Sequence, residues 1–159
     1  MRVIGIDPGY DRLGVAILEF ENGKESLLFS TCIETDKKLN LNERLFTIGN
    51  QLTKIIKEYQ PDTLAIETIF FNQNQKTAIG VAEARGLIIY LAQQNNCQVY
   101  EFGPQEIKIA VTGYGKSDKS AVIDMVKRLV INVPETALDD EYDAIAVSIT
   151  CLAQYGRSR

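Results

Sequence analysis

The order of apolar runs along this chain restricts its possible folds more than its composition does. Three strand-like runs come first, at 2–7, 13–20 and 26–33. Asn22-Gly23 separates the second run from the third and favours a hairpin turn, because both residues accept positive φ. Helical and strand-like patterns then alternate, which is typical of parallel strands joined by helices. The pattern predicts an α/β fold with a mixed five-stranded sheet, three antiparallel strands followed by two parallel ones, and helices on both faces.

The later elements have recognisable ends. They are a helix opened by Asn42-Glu43 and ended by Pro61, a strand at 63–67, a helix at Lys76–Asn95, a strand at 98–102, a short helix from Pro104 to about Val111, a helix capped by Ser117 to about Val130, and a last helix, with Thr136 as its candidate cap, to about Tyr155. We expect residues 1–155 to form one domain, followed by a disordered tail at 156–159.

Composition narrows the chemistry that the chain can perform. The sequence has no histidine, which excludes a histidine base and an imidazole-built zinc site. Its three cysteines are widely spaced, which favours reduced thiols in a cytoplasm. No apolar run reaches the ~20 residues of a membrane span, and the N-terminus does not read as a signal peptide. The net charge of −4 disfavours a nucleic-acid partner, although residues 104–128 are locally basic.

Acidic residues in unusual positions point to a metal site. Asp7 ends an apolar strand before Pro8-Gly9, and a buried lone carboxylate costs several kcal/mol unless a metal or donors compensate it. Glu67 ends the fourth strand. Asp143 shares a helix face with both Asp139 and Asp140, and spacing does not choose between those two. Carboxylates without histidine or cysteine suit Mg²⁺ or Mn²⁺, and two such ions would support phosphodiester hydrolysis.

Each acid also has a plainer interpretation. The helix acids could serve only to stabilise a first helical turn through its dipole. Glu67 could be a strand-end residue facing solvent, and Asp7-Pro8-Gly9 could be an ordinary turn. The combination of the acids is more specific than any one of them.

Five short motifs follow one another with a characteristic order and spacing. They are Ile4-Gly5-Ile6-Asp7-Pro8-Gly9, Ile66-Glu67 followed by Phe70, Ala84-Arg85-Gly86, Gly113-Tyr114-Gly115 with Lys119, and Asp140-Glu141-Tyr142-Asp143-Ala144-Ile145-Ala146. In this order and spacing the chain resembles RuvC, the family of bacterial crossover-junction (Holliday junction) endonucleases. The resemblance extends from Met1 to about Leu152.

The resemblance implies a fold, an activity and a set of acids. The fold is RNase H-like, and the activity is Mg²⁺-dependent nicking of two strands of a four-way DNA junction in recombination and repair. Asp7, Glu67, Asp140 and Asp143 become the catalytic, metal-binding acids, which selects Asp140 over its neighbour. Two Mg²⁺ ions are expected in each site, with Mn²⁺ as a substitute.

The resemblance also implies contacts and partners. Phe70 would stack on an unpaired base, with a buried core position for Phe70 or Phe71 as the alternative. Lys108 and Lys119 would lie near the scissile phosphate; the alternative is that they only form a solvated helix face. Lys116 is expected to contact DNA from its position in a loop alone. A homodimer is implied, and the helix at 76–95 is its natural interface because its apolar set is wider than one core-facing stripe. The RuvA–RuvB branch-migration complex is a further expected partner, with no docking residues indicated.

Three other classes of protein remain as alternatives. An RNase H-like nuclease that processes RNA would lack the paired helix acids with this flanking sequence. A phosphotransferase of the actin and hexokinase type also opens with a Gly-Ile-Asp-x-Gly strand but needs two such lobes. A non-catalytic junction-binding module would gain nothing from four carboxylates placed near phosphates.

Overall fold

The computed structural model of this chain describes residues 1–69 and 75–156, without the side chains of residues 75 and 76. Its elements in chain order are β1 (Arg2–Asp7), β2 (Arg12–Glu21), β3 (Lys24–Glu34), α1 (Leu41–Tyr59), β4 (Thr63–Glu67), α2 (Gln75–Gln94), β5 (Gln98–Phe102), α3 (Pro104–Thr112), α4 (Lys119–Leu129) and α5 (Asp139–Tyr155). None of the helices in the described part of the chain is long and apolar enough to cross a membrane.

The strands form a single mixed sheet in the order β3-β2-β1-β4-β5. β2 pairs antiparallel with β1 and with β3, whereas β4 pairs parallel with β1 and with β5. Asn22 and Gly23 adopt φ values of 53° and 76°, which is the left-handed backbone that a tight hairpin turn requires. The predicted fold class, three antiparallel strands followed by two parallel ones, is confirmed.

Helices cover both faces of the sheet because the apolar side chains of the inner strands alternate. On β1, Val3 joins one buried cluster, whereas Ile4 and Ile6 join the other. The first cluster is closed by α3, α4 and α5, and the second by α1 and α2. β1 is therefore buried on both sides, and any polar group at its end enters a largely apolar surrounding.

The last helix lies unusually close to the sheet. A Cβ atom on Gly5 would lie 2.0 Å from the Ser148 hydroxyl oxygen and 2.3 Å from the Ala144 carbonyl oxygen. Only glycine at this position of β1 leaves room for the backbone of α5. This approach fixes the position of the first turns of α5, which carry Asp140 and Asp143.

Several predicted helix starts were wrong. Asn40, not Asn42-Glu43, precedes the first turn of α1 and accepts a hydrogen bond from the Glu43 N–H. Asp118, not Ser117, caps α4 by accepting from the Ala121 N–H at 2.8 Å.

The predicted cap of the last helix was also wrong. Thr136 does not cap α5, because Leu138 occupies the N-cap position. The Leu138 N–H donates to the Glu141 carboxylate at 3.4 Å. Gly156 is buried after α5. Residues 157–159 lie outside the described residues, so disorder there stays a prediction.

Candidate active site

Two of the four candidate acids lie at the same edge of the sheet. Asp7 is the last residue of β1, and Glu67 is the last residue of β4. The two strands are parallel neighbours, so their carboxyl ends lie side by side. In open α/β sheets such an edge is where ligands usually bind.

The amino end of α5 brings the other two acids to this edge. Gly14 of β2 pairs with Asp7, and a Cβ atom on Gly14 would lie 1.9 Å from the Asp140 carbonyl oxygen and 3.2 Å from the Asp7 Cβ. The missing side chain at Gly14 therefore lets α5 begin beside Asp7. Asp143 lies one turn further along α5 on the same helix face as Asp140.

The charges of these acids act on one another. Burial, and then the charges of Asp143, Glu67 and Asp140, together raise the pKa of Asp7 from 3.8 to about 8. Burial also raises the pKa of Glu67 and of Asp143, and in Glu67 the charge of Asp143 adds to this effect. Carboxylates whose charges act on one another in this way favour the binding of positive charge.

Lys119 supplies part of that positive charge. Its ammonium group donates to Asp143 at 2.9 Å and lies 3.3 Å from Asp139. Desolvation lowers the pKa of Lys119, but the hydrogen bond to Asp143 and the charges of both acids outweigh it and leave that pKa raised. Asp139 is the more exposed of the two neighbouring helix acids, with 64 % of its side chain accessible against 22 % for Asp140. The geometry places Asp140, rather than Asp139, next to Asp7.

Arg12 supplies a second positive charge that the sequence did not reveal. Its Nε lies 3.4 Å from Asp140 Oδ2 and 3.7 Å from Glu34 Oε1. The charge of Asp140, and then a hydrogen bond involving Cys32, raise the pKa of Arg12. No local pattern around Arg12 identifies these partners, because they lie on β3 and α5, far away along the chain.

The loop that follows Asp7 is tied to α1 by a buried arginine. The Arg44 guanidinium donates to the Thr35 hydroxyl at 2.8 Å and to the Tyr10 carbonyl at 3.3 Å, and it pairs with Asp11. It also lies 4.8 Å from the centre of the Tyr10 ring. These contacts fix the backbone immediately after Asp7 and so restrict where its carboxylate can lie.

A small pocket opens beside the acids. It has a volume of about 220 Å³. Glu67 and Asp143 line it together with Lys108 and Lys119. Lys108 and Lys119 both lower the pKa of Glu67 through their charges. The pocket thus combines acids that suit a cation with lysines that suit an anion such as a phosphate.

Comparison with known proteins decides the family. A profile described as "Crossover junction endodeoxyribonuclease RuvC" matches residues 3–151. A crossover junction endodeoxyribonuclease RuvC of Thermosipho melanesiensis is 46% identical over 153 residues, which is 96% of this chain and 97% of that protein. The chain belongs to the RuvC family.

Other members agree with this assignment. A RuvC of Caldicellulosiruptor saccharolyticus is 44% identical over 94% of this chain and 90% of its own length. The structure of Thermus thermophilus RuvC in complex with a Holliday junction substrate superposes with a TM-score of 0.90 at 28% identity, over 99% of this chain and 95% of that one. The expected RNase H-like, RuvC-type architecture is thereby confirmed.

RuvC-family enzymes are divalent-metal-dependent nucleases. The candidate acids of this chain are of the residue type that binds such a metal. All four acids offer the hard oxygen ligands that Mg²⁺ prefers, and the raised pKa of Asp7 shows a site short of positive charge. Within residues 1–69 and 75–156, no three histidine, cysteine, aspartate or glutamate side chains already form a metal-binding group. Lys119 and Arg12 are paired with Asp143 and Asp140 instead.

The expected DNA contacts divide into three cases. Lys108 and Lys119 lie at the pocket with two of the acids. Lys116 is exposed on the loop between α3 and α4, two residues before the cap of α4. Phe70 and Phe71 lie outside the described residues, so the stacking role of Phe70 stays a prediction.

Proposed function

We propose that this chain resolves four-way DNA junctions by divalent-metal-dependent hydrolysis, with Asp7, Glu67, Asp140 and Asp143 as the acids of its active site. One observation supports this more than any other. Three separate elements, β1, β4 and α5, bring four carboxylates to one edge of the sheet in a chain whose family consists of crossover junction endodeoxyribonucleases. The identity of the metal as Mg²⁺, with Mn²⁺ as a substitute, and the number of two ions per site belong to the proposal.

Each charged group has a defined part in this proposal. Bound divalent cations would activate a water and stabilise the leaving oxygen of the phosphodiester. Asp7 is the central acid because the charges of the other three act on it. To admit a cation, Asp143 must give up its hydrogen bond to Lys119, which is then free to contact a phosphate oxygen. Lys108, which lines the same pocket, would hold the same strand.

Junction DNA is approximately two-fold symmetric, so a pair of equivalent sites would cut it symmetrically. α2 exposes Ile79 and Tyr90, which are 68% and 62% accessible. They are eleven residues apart, about three helical turns, and so share one helix face. Phe46 of α1 is 71% exposed beside the groove that Leu87 and Leu91 line with it. We infer a homodimer through α2, with α1 at its margin.

Two further expectations complete the proposal. The three cysteines are free thiols, which is compatible with a reducing cytoplasm. We propose that residues 1–155 form one nuclease domain. The RuvA–RuvB branch-migration complex stays a prediction, and we assign it no docking surface.

The proposal is tested by offering the protein three substrates. A synthetic four-way junction, a duplex of the same sequence and an RNA hairpin are incubated with the protein, each with and without Mg²⁺. We expect paired, symmetric nicks in the junction alone, and only with the metal. Cleavage of the hairpin instead would favour the RNA-processing alternative, and metal-dependent binding without nicks would favour a non-catalytic module.

A further inference from the structure

The loop between α3 and α4 presents an exposed aromatic ring. Tyr114 is 61% accessible and lies between Gly113, whose φ is 79°, and Gly115. A single exposed aromatic is common on protein surfaces and has no meaning by itself. Its support and its surroundings are what distinguish this one.

The backbone of Tyr114 is held by hydrogen bonds on both sides. Its N–H donates to the Thr112 hydroxyl at 3.1 Å. Its carbonyl accepts from the Ser117 hydroxyl at 2.8 Å and from the Ser117 N–H at 3.1 Å. The hydroxyls of Thr112 and Ser117 are themselves 2.7 Å apart. These hydrogen bonds hold the backbone of the loop while the ring is left in solvent, so little backbone needs to be ordered when a base stacks on the ring.

Gly115, the residue after Tyr114, lines a groove that leads to the active-site pocket. A groove of about 930 Å³ follows α3 from Gly103 to Gly115, with Ile109, itself 55% exposed, in its wall. The groove shares Pro104 and Lys108 with the pocket that contains Glu67 and Asp143. A chain lying in the groove would therefore continue into the pocket where the scissile phosphate is proposed to bind.

The lysines near the groove favour nucleic acid as its occupant. Lys116 is exposed two residues after Tyr114, and Lys108 and Lys119 stand at the adjoining pocket. Glu106, the acid among the described residues that line the groove, accepts a hydrogen bond from Gln154 at 2.7 Å. Exposed aromatic rings beside a groove with nearby lysines are used by proteins to bind unpaired strands, with bases on the ring and phosphates on the cations, and Tyr114 adjoins the groove through Gly115.

We propose that Tyr114 is a DNA-binding residue that stacks on an unpaired nucleobase of the junction strand leaving the active-site pocket. This rests on the proposed function, since it takes junction DNA as the substrate. Tyr114 would add a DNA contact from the loop between α3 and α4 to the phosphate contacts expected of the lysines.

The absence of tryptophan from the sequence permits a direct test. Tyr114→Trp introduces a single indole whose fluorescence responds to base stacking. We expect junction DNA, added in EDTA so that no cleavage occurs, to quench this fluorescence at the concentrations that saturate binding. Leu129→Trp, on α4 at a side chain that is 43% exposed and outside the proposed dimer face, is the control and should not be quenched.

A second pair of variants measures the contribution of the ring to binding. Tyr114→Ala should weaken junction affinity about tenfold, whereas Tyr114→Phe, which keeps the ring, should bind like the wild type. Because this side chain is exposed, we expect both variants to fold, and thermal melting of each variant checks this.

The outcomes separate this inference from the function on which it rests. If the wild type cuts junctions but Tyr114→Trp is not quenched and Tyr114→Ala binds normally, the inference is overturned and the function stands. If the wild type neither binds nor cuts junctions, the proposed function fails as well. If the fluorescence of Tyr114→Trp changes when the protein is concentrated without DNA, position 114 lies at a contact between copies of this chain, and the inference is overturned.

Discussion

At the scale of single residues, Asp7 is a carboxylic acid placed among apolar strand residues and three other acids. Its position could be predicted to be unusual from sequence, because a lone acid in an apolar strand needs compensation. The pairing of Asp140 with Arg12 could not be predicted, since it joins residues that are far apart along the chain. The same holds for the ion pair between Lys119 and Asp143.

The raised pKa of Asp7 predicts how the stability of the metal-free protein depends on pH. The pKa of Asp7 is about 8 in the folded chain and near 3.8 when unfolded, so the folded state holds the proton more tightly. Stability from this group is complete below the unfolded pKa and is lost as pH rises toward 8. The raised pKa values of Glu67 and Asp143 act in the same direction, while the positive charge of Lys119 opposes it.

We therefore expect the melting temperature in EDTA to be several degrees lower at about pH 8.5 than at about pH 5.5. Asp7→Asn should melt higher than the wild type at the upper pH and show a weaker dependence. Asp124→Asn, which changes an exposed acid on α4, is the control and should follow the wild type. The same pH dependence in Asp7→Asn and the wild type would contradict the assignment.

At the scale of elements, the strands and helices were largely predictable, whereas their ends and their packing were not. Alternating and helical spacing identified all five strands and the long helices, because burial on one face imposes that spacing. A helix cap depends on which of several polar residues adopts the extended backbone before the first turn. Ser117 was therefore predicted as the cap of α4, whereas Asp118 accepts the hydrogen bond from the Ala121 N–H. The close approach of α5 to β1 and β2 could not be predicted, because a glycine in a strand does not indicate which element packs against it.

That approach gives a prediction about Gly14. Alanine there would place a Cβ 1.9 Å from the Asp140 carbonyl oxygen, so the first turn of α5 must move and carry Asp140 and Asp143 with it. We expect Gly14→Ala to reduce junction cleavage by at least about tenfold and to lower the melting temperature by several degrees.

The control for this change is a glycine at the other end of α5. A Cβ on Gly156 would first meet Leu152 at 3.4 Å, which is an ordinary contact. Single-turnover cleavage and thermal melting should leave Gly156→Ala close to the wild type. If Gly14→Ala cleaves as fast as Gly156→Ala, the close packing of α5 does not set the geometry of the acids.

At the scale of the whole molecule, the proposed dimer explains why α1 and α2 expose large apolar side chains. α2 was predicted from sequence as an interface because its apolar set is too wide for one core. Which of its residues face outward could not be read from that pattern, and the structure assigns Ile79 and Tyr90 to the exposed face. The exposure of Phe46 on α1 had no local sequence signal.

A charge on this face should break the dimer. We expect Ile79→Glu combined with Tyr90→Asp to sediment as a monomer, because two buried carboxylates would have no partner across the interface. Junction affinity should fall, and the two nicks should no longer appear together in one junction.

Leu129→Glu provides the control for the dimer prediction. It introduces one negative charge, against two in the α2 variant, on α4 at a side chain that is 43% exposed, and should remain dimeric. A variant with both α2 changes that still sediments as a dimer would place the interface elsewhere.

The central claim is that four acids from β1, β4 and α5 form one metal-dependent hydrolytic centre, and Asp7→Asn tests it most directly. Single-turnover cleavage of a synthetic four-way junction is measured with Mg²⁺, and junction binding is measured in parallel without metal. We predict that Asp7→Asn binds the junction as tightly as the wild type but does not cut it. Cleavage by Asp7→Asn at the wild-type rate would contradict the account.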